Sequence, residues 1–162
     1  MDSYRLEFYL NGTPVTMEVA SNRLLVDLLR EEFGLKGTKV GCREGECGVC
    51  TVLVNGKPVN SCLLPAMKVQ GLQVTTIEGL AEGNLLHPLQ QAFIEEGAIQ
   101  CGFCTPAMIL TAKALLDVSS IPDELEIKKS LSGVLCRCTG YRKIIKAVQK
   151  ASMFIGFSDI KK

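Results

Sequence analysis

Eight cysteines in a chain of 162 residues are the side chains with the clearest capacity for chemistry, and they fall into two groups of four. Cys42, Cys47, Cys50 and Cys62 are spaced C-x4-C-x2-C-x11-C, which opens with the plant-type [2Fe–2S] spacing. A loop of that kind must wrap a cluster from several directions and bring backbone amides close to the sulfurs. Gly41, Gly45 and Gly48 interleave with the cysteines and allow this, because glycine accepts positive φ and carries no side chain to block N–H···S contacts. Cys62 arrives from the far strand of an expected hairpin and closes the group. Structural zinc usually takes paired C-x2-4-C knuckles, which this spacing fits poorly.

The second group, Cys101, Cys104, Cys136 and Cys138, reads C-x2-C-x31-C-x-C. Each pair sits in a turn before an expected helix, where unpaired N–H groups and the positive helix end can stabilise thiolates. Spacing alone leaves two chemistries open here: a second iron–sulfur site, or a four-cysteine zinc site joining two turns. Other chemistry is thin. His87 is the only histidine, so a Rieske centre, which needs two, is excluded; preceding Pro88, it reads as a helix-entry residue. Arg137, between two of the cysteines, either offsets thiolate charge or joins a surface ion pair. No Ser/His/Asp or Cys/His nucleophile set, acid–base pair or P-loop stands out.

The elements that must position these cysteines divide the chain. Residues 1–77 read as mostly β. Tyr4, Leu6, Phe8 and Leu10 alternate with polar neighbours, Asn11-Gly12 suits a type I′ turn, and Val15, Met17 and Val19 alternate again. Ser21 or Asn22 is expected to cap a helix with Leu24, Leu25, Leu28 and Leu29 on one face and Gly34 as its stop. A second hairpin turns at Asn55-Gly56, and a further strand is expected near Leu72 to Ile77. Residues 78–83 read as a linker, and residues 84–162 as helical. Pro88 starts one helix, Thr105-Pro106 caps a strongly apolar second, Pro122-Asp123 opens a third to about Leu131, and Tyr141-Arg142 leads into a fourth. Short helices with short connections suggest a four-helix bundle, so the fold class is α+β.

Composition narrows the function. Lys and Arg total 18 against 17 Asp and Glu, a formal charge of +1 that gives no electrostatic case for nucleic acid. Apolar residues make up 47% and mean hydropathy is +0.22, which excludes a disordered chain, and no apolar run is long enough for a membrane span. Eight cysteines are about 5% of the chain, below disulfide-scaffold density. The first ten residues, 1–10, lack the order of a signal peptide. Together these point to a cytoplasmic location and to metal or redox chemistry rather than disulfides.

Three segments carry a family likeness. Residues 41–51 (GCREGECGVCT), 100–106 (QCGFCTP) and 135–141 (LCRCTGY) resemble, in order and over nearly the whole chain, the iron–sulfur small subunit of molybdenum hydroxylases. That family includes xanthine dehydrogenase, aldehyde oxidase, aerobic carbon monoxide dehydrogenase, nicotinate dehydrogenase and 4-hydroxybenzoyl-CoA reductase. The resemblance implies an N-terminal plant-ferredoxin-like β-grasp domain with one [2Fe–2S] cluster on Cys42, Cys47, Cys50 and Cys62. It also implies a C-terminal four-helix-bundle domain with a second cluster on Cys101, Cys104, Cys136 and Cys138, where spacing had left zinc open. Carried over, the second group would take electrons from a molybdopterin cofactor on a large partner subunit, with Gln100 contacting the pterin through its side-chain amide. The first group would pass them to FAD on a medium subunit, in a heterotrimer that could itself dimerise. Ala107 and Val134 depart from the glycine and asparagine common at their positions, and neither removes a ligand. The implied function is single-electron relay within an oxidoreductase complex, with the substrate site in a partner. The competing readings are a freely diffusing ferredoxin-like carrier and a zinc scaffold.

Overall fold

The computed structural model describes residues 3–159, the last four as backbone only. Strands β1 (Ser3–Leu10) and β2 (Thr13–Ala20) form the expected hairpin, with Leu6, Phe8 and Leu10 turned into the core. Its turn places Asn11 at φ 50° and Gly12 at φ 81°, the two left-handed residues that a type I′ turn requires. Asn11 also accepts from the Thr76 N–H at 2.8 Å and donates to the Thr76 hydroxyl at 3.0 Å, so the turn is fastened to the chain leaving the sheet. β3 (Thr51–Val54) and β4 (Lys57–Asn60) form the second hairpin, around Asn55 and Gly56, and β5 (Gln73–Thr75) completes a sheet of order β2-β1-β5-β3-β4. β5 runs parallel to β1 and antiparallel to β3.

Helix α1 (Leu25–Asp27) continues as a π-helical turn (Leu28–Glu32) and buries Leu25, Val26, Leu28 and Leu29. It starts later than the sequence suggested, and neither Ser21 nor Asn22 caps it; Leu24 is the N-cap and makes no side-chain bond. The free amides find backbone instead: Leu25 N–H donates to the Leu64 carbonyl at 2.8 Å and Val26 N–H to that of Ser61 at 3.2 Å. Capping from a distant segment makes a polar cap residue unnecessary. Gly34 stops the helix as expected, at φ 66°.

Four further helices follow: α2 (Pro88–Glu95), α3 (Thr105–Val118), α4 (Glu124–Leu131) and α5 (Arg142–Asp159). Asp123 caps α4 in a reciprocal box with Glu126, both bonds 2.8 Å. Phe93, Met108, Ile127, Leu131, Ile144 and Val148 are fully buried among them. Ala107 and Val134, the two departures from the family pattern, are also buried in this core. Ile77–Gly79 forms a 3-10 turn, and Leu80 after it is buried against the helices. Phe154 is exposed, Ile155 packs at the core edge, and the Phe157 side chain lies outside the described residues. Among the described residues no helix is long and apolar enough to cross a membrane.

The two halves meet through the first cysteine loop. Val49, from that loop, is buried in the helical core, and α3 lies against β3. Gly48 has φ 65°, and a Cβ there would overlap the Gly133 carbonyl oxygen. Only glycine satisfies both the conformation and the approach.

His87 enters helix α2 as its N-cap: its backbone N–H donates to Gln90 Oε1 at 2.9 Å, and its ring Nδ1 accepts from the Leu89 N–H at 3.2 Å. That bond needs an unprotonated Nδ1, and burial, followed by repulsion from Lys113, holds the imidazole below its ordinary value of 6.5. A lowered value in the folded state means that the cap is complete above about pH 6.5 and weakens as pH falls through the folded value. Hydrogen-exchange protection at Leu89 should therefore hold from about pH 7.5 to 6.5 and drop only as the pH falls further, through the lowered folded value. His87→Asn, which caps on both sides of it, should remove the drop; protection in the unaltered chain that stays level throughout an acid titration in which the ring protonates would contradict the assignment.

Candidate metal centres

The first loop curls because Arg43, Gly45 and Gly48 all adopt positive φ, at 60°, 83° and 65°. The curl turns backbone donors inward. Glu44 and Cys47 donate their N–H groups to the Cys42 sulfur at 3.3 and 3.4 Å, and Cys42 N–H donates to the Cys47 sulfur at 3.4 Å. These amides hold the Cys42 thiol down to about 7, with Glu44 the larger contributor. The other two cysteines are buried side by side against Val26. Burial pushes the Cys50 thiol up to about 11, and the neighbouring Cys62 thiol adds to it. Ser61 fixes this end from below, its hydroxyl donating to the Cys50 carbonyl at 2.6 Å.

The second group also has a buried and an open side. Cys104 is the N-cap of α3, yet its thiol is pushed up to about 12, first by burial and then by Cys136 beside it. The expected helix-end stabilisation is therefore outweighed at Cys104, because the thiol lies inside the core. Cys101 and Cys138 are exposed, and Cys138 is raised chiefly by its contact with Cys101. At Cys136 burial is the largest single effect and acts upward, but the Thr139 hydroxyl and the amides of Thr139 and Cys138 outweigh it and the thiol is lowered.

Thr139 and Tyr141 were not assigned roles from sequence, and both shape this loop. The Thr139 hydroxyl oxygen accepts from Tyr141 N–H at 3.2 Å, which leaves its hydrogen for the Cys136 sulfur at 3.1 Å. Tyr141, at φ 65°, places its phenol oxygen to accept from Cys136 N–H at 2.9 Å and to donate to the Val134 carbonyl at 3.3 Å. The signal available in the sequence was the position of both residues directly after the Cys-x-Cys step, where loop amides and a sulfur need partners.

Each group thus resolves into two pairs of thiols: Cys42 with Cys47 and Cys50 with Cys62, then Cys104 with Cys136 and Cys101 with Cys138. A tetrahedral zinc site needs its sulfurs to converge on one point. Among the described residues no three His, Cys, Asp or Glu side chains do so. Two pairs with amides and a hydroxyl directed at sulfur suit a binuclear cluster, in which each iron takes two thiolates. Gln100 is exposed, in the bend before Cys101, and Ile99, Phe103, Arg137 and Leu135 around the two cysteine segments are exposed as well. One bond joins the groups: Leu135 N–H, next to Cys136, donates to the Cys47 carbonyl at 2.9 Å.

Comparison with known proteins bears on both groups. Residues 8–74 match the family model of a 2Fe-2S iron-sulfur cluster binding domain, and residues 76–149 that of a [2Fe-2S] binding domain. Over 151 residues the chain is 50% identical to the nicotinate dehydrogenase small FeS subunit of Eubacterium barkeri, covering 93% of this chain and 96% of that one. A chain of quinoline 2-oxidoreductase from Pseudomonas putida 86 superposes with a TM-score of 0.92 at 41% identity, covering 96% of this chain and 97% of that one. Aldehyde oxidoreductase from Desulfovibrio gigas gives a TM-score of 0.92 at 39% identity, but the match spans 17% of that longer chain and 96% of this one.

The separation of the two groups has a spectroscopic consequence. Cys104→Ser should disturb one of two distinct reduced-state electron paramagnetic resonance signals and leave the other intact. Loss of both signals from a protein that is still folded would show that the groups are not independent.

Proposed function

The chain belongs to the family of iron–sulfur small subunits of molybdenum hydroxylases, and from that premise we propose which of its residues carry electrons and toward what. It is an electron-transfer subunit of an oxidoreductase complex. In this reading Cys42, Cys47, Cys50 and Cys62 hold one [2Fe–2S] cluster, and Cys101, Cys104, Cys136 and Cys138 hold the second. Bound clusters supply one-electron redox chemistry, so that a two-electron event in a partner is divided into single steps. Gln100 contacts the pterin of a molybdenum cofactor on a large subunit, and a medium subunit carrying FAD lies beyond the first group. The three chains form a heterotrimer. A cytoplasmic location belongs to the same reading and suits eight cysteines kept as thiolates.

The Leu135–Cys47 bond carries this reading. It links the residue preceding one cysteine of the second group to a cysteine of the first, so the path between groups consists of covalent bonds and a single 2.9 Å contact. An electron crosses a bonded path far more readily than an equal gap of space. The chain's own residues do the remaining work: amides and the Thr139 hydroxyl offset charge at the sulfurs, burial of Cys50, Cys62 and Cys104 excludes water, and the exposure of Cys101 and Cys138 leaves an entrance. Such an entrance, flanked by exposed Ile99, Gln100 and Phe103, suits cover by a permanent partner. The near balance of 18 basic and 17 acidic residues also differs from the one-signed surface that steers a diffusing carrier.

Gel filtration of a native extract, followed by identification of co-eluting chains, tests this. The expected result is elution with two larger polypeptides containing molybdenum and FAD. Recovery of the whole population as a monomer would favour the free carrier instead.

A further inference from the structure

The first cysteine loop depends on a backbone conformation that its sequence does not favour. Arg43, directly after Cys42, sits at φ 60°, a region that costs a residue with a side chain energy unless the surroundings enforce it. Its neighbours on the turn are the amides that reach the Cys42 sulfur, those of Glu44 and Cys47. If Arg43 relaxed to negative φ, the chain would leave Cys42 in another direction and those amides would turn away.

The Arg43 guanidinium is gripped at both ends of its fork. Nη2 donates to Asp27 Oδ1 at 2.8 Å and Nη1 to Asp27 Oδ2 at 3.1 Å. Planar two-point pairing of this kind fixes orientation as well as distance. The carboxylate is the better-sheltered partner, at 16% side-chain exposure against 49% for Arg43. Asp27 closes α1, whose Leu25, Val26, Leu28 and Leu29 are buried on either side of it, so it is a fixed post. The same helix is registered against the other half of the cysteine group: Val26 packs on Cys50 and Cys62, and Val26 N–H bonds to Ser61, which holds the Cys50 carbonyl. One short helix therefore touches one thiol pair through Val26 and reaches the loop of the other through Asp27.

We propose that Asp27 is a positioning residue for the first cluster site: by clamping Arg43 in its left-handed conformation it aims the Glu44 and Cys47 amides at the Cys42 sulfur, and so sets the spectroscopic and retention properties of that site. The inference rests on the reading of Cys42, Cys47, Cys50 and Cys62 as cluster ligands. It separates from a merely structural role by one feature. A clamp is needed only while residue 43 is strained, and glycine at that position holds φ 60° without help.

Three variants of the assembled complex test it: Asp27→Asn, Arg43→Gly, and the two combined. Asp27→Asn should alter the shape of one reduced-state paramagnetic resonance signal, leave the other unchanged, and release iron to a chelator severalfold faster. Arg43→Gly should keep both signals close to those of the unaltered complex, and the double variant should match Arg43→Gly alone. Two outcomes overturn the proposal: Asp27→Asn indistinguishable from the unaltered complex, or a double variant as impaired as Asp27→Asn, which would place the effect in the helix. Absence of iron from the first site of the unaltered complex would instead overturn the ligand assignment beneath it.

Discussion

Close approach of two backbones is the constraint on which the molecule depends. Gly48 lies so near the Gly133 carbonyl that a side chain has no room, and from there Leu135 N–H reaches the Cys47 carbonyl at 2.9 Å. Here the contact is main chain to main chain, and the packing around it follows. Val49 plugs the first loop into the helical core, and α3 lies along β3. Each loop also carries a left-handed residue, Gly48 in the first and Tyr141 in the second.

The thiols on either side of that contact are held in unequal environments, and the inequality has a direction. Each group contains both a buried, raised thiol and one that hydrogen bonds have lowered: Cys50 and Cys42, in different pairs, in the first, and the neighbours Cys104 and Cys136 in the second. Buried members exclude water and anchor the site to a core, whereas the lowered members lie where donors can offset charge. Hydrogen bonds to sulfur and burial are two of the means by which a protein tunes an iron–sulfur potential, and both are present at each group. Exposure of Cys101 and Cys138, with burial of Cys50 and Cys62, leaves the second group the more open to a partner.

Much of this was legible in sequence where a residue type is demanded locally. Asn11-Gly12 and Asn55-Gly56 announced both hairpins, because few other residues tolerate two successive positive φ values. Pro122-Asp123 announced α4, His87-Pro88 announced α2, and the interleaved glycines marked the first loop. What failed was set by tertiary contact. The start of α1 is capped by carbonyls of residues 61 and 64, which no local pattern reveals. Cys104 sits at a helix N-terminus as expected, yet burial dominates its chemistry. The Asp27–Arg43 pair joins a helix to a loop, and nothing in either segment names the other.

In the proposed function electrons pass between the two cysteine groups inside this chain, along the path closed by Leu135 and Cys47. Rapid one-electron reduction of the assembled complex, with each cluster signal followed in time, tests it directly. One signal should grow as the other decays, at a rate independent of protein concentration. An exchange that scales with concentration, or two signals that evolve without reference to each other, would contradict it.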